Sequence, residues 1–468
     1  MQSDSGGRVD TATPPARDGE DGGPADTTHE RAPANAAAGG GAGASGRGTG
    51  SAGTSGTPAA PAIDLEPNDA ATYLFDQTQL RTYNIVIAQA NLNSINRHPS
   101  AEAWVRADLE FEGKTYGPFS VRYKGAAGAF MYPCTTGDFH GAKAGKCSLK
   151  LGFDEIDSNG HFFGLKKLNF HSMNADSSML RDRLAYQLFR DAGVAAPRAA
   201  HARVLINGEL EGLFVVVEQI DGRFTRSRFS EGGAGNLYKE VWPVYDDPLV
   251  YKAALETNQA AQPSVQGMLD LKAAIATGAA SLDTMLDRDY FVRYIALDRL
   301  IVNDDGIFHF WCDPTAQGNN PGSFGNHNYY WYQASKDAHF WLIPWDLDNT
   351  FDNSPSVHIS TEWTATANCE CTSDPNYGSQ RPASCDPLIQ HFSAWRVDYK
   401  KQLDELIAGP FAKARVDAVL TDWITQIQAA VSESGGINLA PSESVWADAV
   451  MTLRAKLESE RQNYGYAY

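Results

Sequence analysis

The chain predicts an α+β protein with a β-rich first half and an α-rich second half. Three observations carry this: apolar and polar residues alternate from about residue 70, helical periodicity takes over after Asp221, and one pair of alternating aromatic runs lies among the later helices. Alternation places one face of a strand on a core, whereas apolar residues three and four apart line one side of a helix.

Residues 1–62 are mostly Gly, Ala, Ser, Thr and Pro with scattered charges, a composition that cannot bury enough apolar surface to offset its ordering entropy. They are expected to form a disordered low-complexity leader, either a tether or a plain spacer. A β-rich lobe is expected over 63–221. TYNIVIAQANL, AWVRADLEFEGKTYGPFSVRYKG and KCSLKLGFDE alternate and are separated by turn-forming residues, which argues for an antiparallel sheet. In DSSMLRDRLAYQLFRDAGV, the residues Met179, Leu180, Leu184, Leu188 and Phe189 form one helical face, with Asp176 or Ser177 to cap its start and Gly193 to end it. HARVLING and LEGLFVVVEQI then form a strand pair joined by Asn207-Gly208. Over 222–468 the amphipathic runs predict a mainly helical lobe, interrupted by the hairpin HNYYWYQASKDAHFWLIPWDLDNTF. No internal repeat is present.

Composition limits the function classes. Of 468 residues, 43% are hydrophobic and 11% aromatic, which is enough for a packed core. The net charge of −18, with no long basic stripe, offers no electrostatic footprint for nucleic acid. No window approaches the roughly 18 apolar residues of a membrane span, so no transmembrane segment is expected. The first residues lack the apolar stretch of a secretory signal, so no signal peptide is read within this sequence. Six cysteines (Cys134, Cys147, Cys312, Cys369, Cys371, Cys385) lie in loop-like surroundings and read as disulfides of an oxidising compartment, their pairing left open. Zinc on Cys369, Cys371 and Cys385 is disfavoured, because no Cys-x-x-Cys pair or nearby ligand histidine accompanies them.

Two segments could carry chemistry. Asp346 and Asp348, at i and i+2 after an apolar strand, offer hard oxygen ligands to a divalent cation, although an arbitrary Asp-x-Asp is more often a solvated loop. Asn303-Asp304-Asp305-Gly306 follows a helix C-terminus, where the macrodipole disfavours acids unless a cation or a function compensates.

In chain order, YLFDQTQLRTYNIVI, VRYKGAAG, KCSLKLGF, SSMLRDRLAYQLFRDAGV, VLINGELEGLFVVVEQID, GNLYKE, LIVNDD, HNYYWY and LIPWDLDNTF resemble the CotH kinase family, named for spore coat protein H. The resemblance runs from about Leu74 to Asn353 and is less specific in the final helices. It implies a two-lobed atypical protein-kinase-like fold, ATP with Mg²⁺ or Mn²⁺, and transfer of the γ-phosphate to Ser or Thr of an exported or coat-type protein, outside the cytoplasm.

A phosphotransferase needs a cover for the phosphates, a lysine, an acid to pair with it, a catalytic aspartate and metal ligands. By resemblance, Lys124-Gly125-Ala126-Ala127-Gly128 is the phosphate turn, with Arg122 or Lys124 to neutralise charge, though the family's serines are missing. Lys146 is the first choice for the phosphate-contacting lysine and Lys150 the second, two residues of one strand face. Asp182 stands where relatives often carry Glu and would pair with that lysine. Glu218 is either a hinge residue reaching the nucleotide or the polar end of a buried strand. Asp305 is the catalytic aspartate, Asp346 a metal ligand and Asp348 a second one. The Asn that ordinary kinases carry five residues after the catalytic aspartate is replaced by Phe310. Residues 307–327 therefore read as an insertion, after which Asn328 returns to the metal and within which Cys312 staples the loop. The alternatives are a catalytically weak surface binding, adhesion or coat-assembly protein, and a metal-dependent hydrolase using the same carboxylates.

Overall fold

The computed structural model describes residues 63–125, 134–135, 145–229, 233–312, 325–335, 339–351, 363, 368–374, 378–438 and 440–462. The expected leader at 1–62 and Ala126–Gly128 of the expected phosphate turn lie outside them.

The alternating runs of the first half form β1 (Arg81–Ile87), β2 (Val105–Phe111), β3 (Lys114–Lys124), β4 (Ser148–Gly152), β5 (Lys167–His171), β6 (Ala199–Ile206) and β7 (Glu209–Glu218). The sheet is more than the expected antiparallel meander. It closes into a barrel in the order β1-β2-β3-β4-β5-β7-β6, its seam a parallel pairing of β1 with β6 that sets Ile85 beside Ile206. Tyr83, Ile85, Leu109, Val121, Leu149, Leu151, Phe170, Phe214 and Val216 alternate inward and fill the barrel. The β6–β7 turn is Asn207-Gly208, both at positive φ, as a two-residue hairpin of this type requires.

Helices follow as α1 (Gln89–Arg97), α2 (Arg181–Asp191), α3 (Gly222–Arg228), α4 (Pro248–Ala253), α5 (Gln266–Thr277), α6 (Ala279–Leu282), α7 (Arg288–Leu300), α8 (Pro387–Ser393), α9 (Arg396–Ala408), α10 (Lys413–Ser434) and α11 (Glu443–Gln462). The fold is thus α+β. The outward residues Leu213, Val215 and Val217 of β7 share a second core with Leu184, Leu188 and Phe189 of α2 and with the helices of the second half.

The expected aromatic hairpin is β10 (Tyr329–Gln333) with β11 (Phe340–Pro344), and β8 (Asn236–Lys239) joins it on the far side of β10. A third small sheet is ordered β12 (Thr372–Asp374), β13 (Gly378–Arg381), β9 (Phe310–Trp311). All six cysteines are paired: Cys134–Cys147, Cys312–Cys371 and Cys369–Cys385. This removes the thiolates a zinc site would need. Among the described residues no helix is long and apolar enough to cross a membrane.

Candidate active site

The site is built where β11 ends, where α7 ends and where α2 begins. Helix α2 starts at Arg181 rather than at the expected cap, because a tight turn with Met179 at φ 60° intervenes. Asp176 still caps the helix from within that turn. One of its oxygens accepts from Leu180 N and Arg181 N, each at 2.8 Å, and the other from Ser178 N at 2.9 Å.

One turn apart on α2, Asp182 and Tyr186 hold the loop after β11. Asp182 Oδ1 accepts from Leu347 N at 3.1 Å, and the Tyr186 hydroxyl accepts from Asp346 N at 2.9 Å. The other oxygen of Asp182 meets His171 Nδ1 at 2.7 Å. On the barrel side, Lys124 Nζ lies 3.2 Å from His171 Nε2. Asp346 Oδ1 is 3.6 Å from His171 Nδ1, and its side chain keeps 40% of its surface accessible. Burial raises the Asp346 carboxyl, but His171, Lys124 and Lys239 face it and hold it below its ordinary value. Burial lowers the Lys124 ammonium.

The catalytic candidate lies in the turn that follows α7. Asn303 Nδ2 donates to Asp298 Oδ1 at 2.8 Å and Asp304 N to Asn349 O at 2.9 Å, which fixes the turn that presents Asp305. Trp311 Nε1 donates to Asp305 Oδ1 at 2.8 Å, and Asn328 Nδ2 donates to Asp305 Oδ2 at 2.9 Å. Asn328, expected to return to a metal, lies against Asp305, and Cys312, expected to staple the 307–327 loop, is bonded to Cys371. Phe310 is buried in β9. Burial raises the Asp305 carboxyl. Asp348 is pushed well up, by burial first and then by Asp346, Asp182, Asp305 and Asp176. Four acids thus act on one carboxyl, and the negative charge is left only partly balanced.

Backbone strain gathers at the same place. Glu240, Val302, Asn328, Asp346 and Phe351 have φ between 48° and 62°, a region costly for non-glycine residues. The loops are tied to each other there: Trp345 N donates to Asn328 O at 3.0 Å, Phe351 N to Ile301 O at 2.6 Å, and Glu240 N to Tyr329 O at 3.1 Å.

Asp182, Asp305, Asn328, Asp346, Asp348 and Lys124 are thus brought together, whereas Lys146, Glu218 and Arg122 are engaged elsewhere. Lys146 precedes β4 and turns away, its Nζ 2.5 Å from Leu213 O and buried over the Phe214 ring. The lysine beside Asp346 is therefore Lys124, and Asp182 reaches it through His171 rather than directly. Glu218 has both oxygens taken by guanidinium groups: Arg198 at 2.8 Å, Arg223 at 3.0 Å and Arg228 at 2.5 Å. Although burial works against it, Arg228, Arg198 and Arg223 hold Glu218 far below the carboxylate range, so it is the polar end of a buried strand rather than a nucleotide contact. Arg122 is paired with Glu102, whose other oxygen accepts from Gly125 N at 2.8 Å, so this part of the expected phosphate turn is engaged internally. Lys150 lies on β4 between Arg122 and Asn169, on the outer face of the barrel. His171, Tyr186, Lys239 and Trp311 were not anticipated. Their roles depend on strand register and loop contacts rather than on local pattern.

The family described as CotH kinase protein matches residues 121–463, and the chain belongs to that family. The match begins later than the expected resemblance and extends through the final helices. The chain is also similar to the inner spore coat protein H of Bacillus subtilis (strain 168), with 22% identity over 209 residues, 41% of this chain and 51% of that protein. It thus spans about half the length of that relative.

Proposed function

We propose that the protein is a metal-dependent atypical kinase that transfers the γ-phosphate of ATP to Ser or Thr of an exported or coat-type protein, in a two-lobed kinase-like arrangement. The observation that carries this reading is the convergence of Asp305, Asn328, Asp346 and Asp348 with Lys124 on the loops held by α2. Three disulfides and the spore-coat relative support a location outside the cytoplasm.

The donor set suits Mg²⁺ or Mn²⁺. Among the described residues no three His, Cys, Asp or Glu side chains are gathered to hold a metal ion by themselves. Mg²⁺, however, is usually held by one or two carboxylates together with substrate phosphates and water. The crowding that raises Asp348 is what a cation arriving with the nucleotide would relieve. Asp346 and Asp348 would hold it, and it would neutralise charge on the phosphates. Lys124, with Lys239 near it, would meet the phosphate oxygens. Asp305, fixed by Trp311 and Asn328, retains lone pairs with which to orient the acceptor hydroxyl and take its proton.

The test is transfer of label from γ-³²P ATP to a secretome extract in the presence of Mg²⁺ or Mn²⁺. Asp346→Ala and Asp305→Ala should each lower incorporation by at least about a hundredfold. Equal labelling with all three proteins would exclude the assignment. Phosphate release without protein labelling would favour a hydrolase, and nucleotide binding without either would favour a binding protein.

A further inference from the structure

Asp182 and Lys124 do not meet; the His171 ring stands between them. Lys124 ends β3, His171 ends β5, and Asp182 lies in the first turn of α2, so three separate elements contribute to one line of contacts. Lys124 Nζ to His171 Nε2 is 3.2 Å, and His171 Nδ1 to Asp182 Oδ2 is 2.7 Å. An ammonium only donates, so Nε2 accepts from Lys124 and the ring proton is on Nδ1, directed at Asp182.

We propose that His171 is a positioning residue, relaying Asp182 to Lys124 and so fixing the lysine beside Asp346, where it would meet a phosphate group. This rests on the kinase reading and extends it to a residue that the family argument did not supply. An aspartate arm is one methylene shorter than a glutamate arm, and the imidazole fills the remaining gap. The arrangement also links two parts of the site, because the other Asp182 oxygen accepts from Leu347 N. Loop and lysine are then fixed by one carboxylate. His171 is 4% exposed and stands edge-on to Trp345 at 5.4 Å, while Lys124 lies 5.3 Å from the same indole. Packing on Trp345 alone would account for a buried ring at this position. It would not account for an acid on one nitrogen and a site lysine on the other.

Two measurements on the full chain test the relay. The first is ¹⁵N chemical shifts of histidine side chains, with the His171 signal identified by its loss in His171→Leu. The wild type should show the Nδ1–H tautomer, and Lys124→Met should shift the Nε2 resonance; an Nε2–H tautomer, or no response to Lys124→Met, overturns the proposal. The second is KM for Mg·ATP with kcat measured alongside. His171→Leu should raise KM about tenfold, the scale expected for a lost hydrogen bond to a charged group. His171→Gln, which keeps one donor and one acceptor, should recover most of that loss, and His171→Leu should add nothing on top of Lys124→Met. Additive losses, or a Gln variant as impaired as Leu at unchanged melting temperature, overturn it. If the wild type does not bind or use ATP, the kinase reading fails and the tautomer measurement still judges the relay. If ATP is used but the tautomer is wrong, the relay alone fails.

Discussion

Burial brings the Lys146 ammonium down to about 7, with Glu211 and Asp176 opposing it weakly. The unfolded chain keeps that proton up to about 10.4, so between the two values the unfolded state binds more protons than the folded one and stability rises with pH. Across that window Lys146 should contribute up to about 1.4 kcal/mol of added stability per pH unit. Lys146→Met should remove this contribution, seen as a smaller difference between urea-unfolding free energies at pH 7 and pH 9.5 than in the wild type. Asp348 provides a second test of electrostatics. Asp348→Asn relieves the repulsion from Asp346, Asp182, Asp305 and Asp176. Its melting temperature in chelator should therefore exceed that of the wild type by about 2 °C or more. Any further rise that Mg·ATP produces in the wild type should shrink in the variant. A lower melting temperature in chelator would show that Asp348 is not strained by its neighbours.

Helix α2 connects the core to the chemistry, and its start depends on Asp176, which is 1% exposed. Asp176→Ala would leave the amides of Ser178 and Arg181 without their acceptor and Leu180 N with only Ser178 Oγ at 3.3 Å, at a cost of about 2 kcal/mol or more in urea unfolding. The same substitution should weaken nucleotide binding, since Asp182 and Tyr186 hold the aspartate loop from this helix. Unchanged stability would show that the cap is dispensable. The sequence announced this cap and the Gly193 stop because both are local signals. It did not announce the turn at Met179, which displaces the helix start, since such a turn has no periodicity. Asp346 and Asp305 were legible for a similar reason: each ends a strongly patterned element. His171 was not, because nothing near it in the chain reveals that β3 and β5 end on either side of the start of β4. Lys146 was misplaced on the same account. Its spacing from Lys150 suggested a shared face, but β4 begins only at Ser148.

Over the whole molecule, the segment before β1 connects the barrel to the helices. Gln77 O accepts from Gln426 Nε2 of α10 and from Arg183 Nη2 of α2, each at 3.0 Å, while Arg183 Nη1 donates to Gln426 Oε1 at 2.8 Å. Arg183 is fully buried and lies over Trp423 at 3.9 Å. Arg183→Met should therefore cost about 3 kcal/mol or more by leaving buried acceptors unpaired. Combined with Gln426→Leu, it should be non-additive by more than about 0.5 kcal/mol in a double-mutant cycle. Strict additivity would show that the contact does not couple the two halves. The order of strands, helix and strands was readable along the chain because periodicity is a nearest-neighbour property. Ring closure was not, since it joins Arg81–Ile85 to Ala202–Ile206 across more than half of the strand-rich region.

That closure has a bearing on how the protein can associate with others. A ring of seven hydrogen-bonded strands has no free edge strand, so a neighbouring chain cannot lengthen it by adding a strand at an end of the sheet. Assembly into any layered structure would have to proceed through side-chain surfaces of the barrel and helices. The backbone groups still open to pairing among the described sheets belong to the short outer strands and to the stretches of β3 before Ser120 and of β7 before Val215 that run past β4 and β5, and one of the small sheets is cross-linked by Cys312–Cys371.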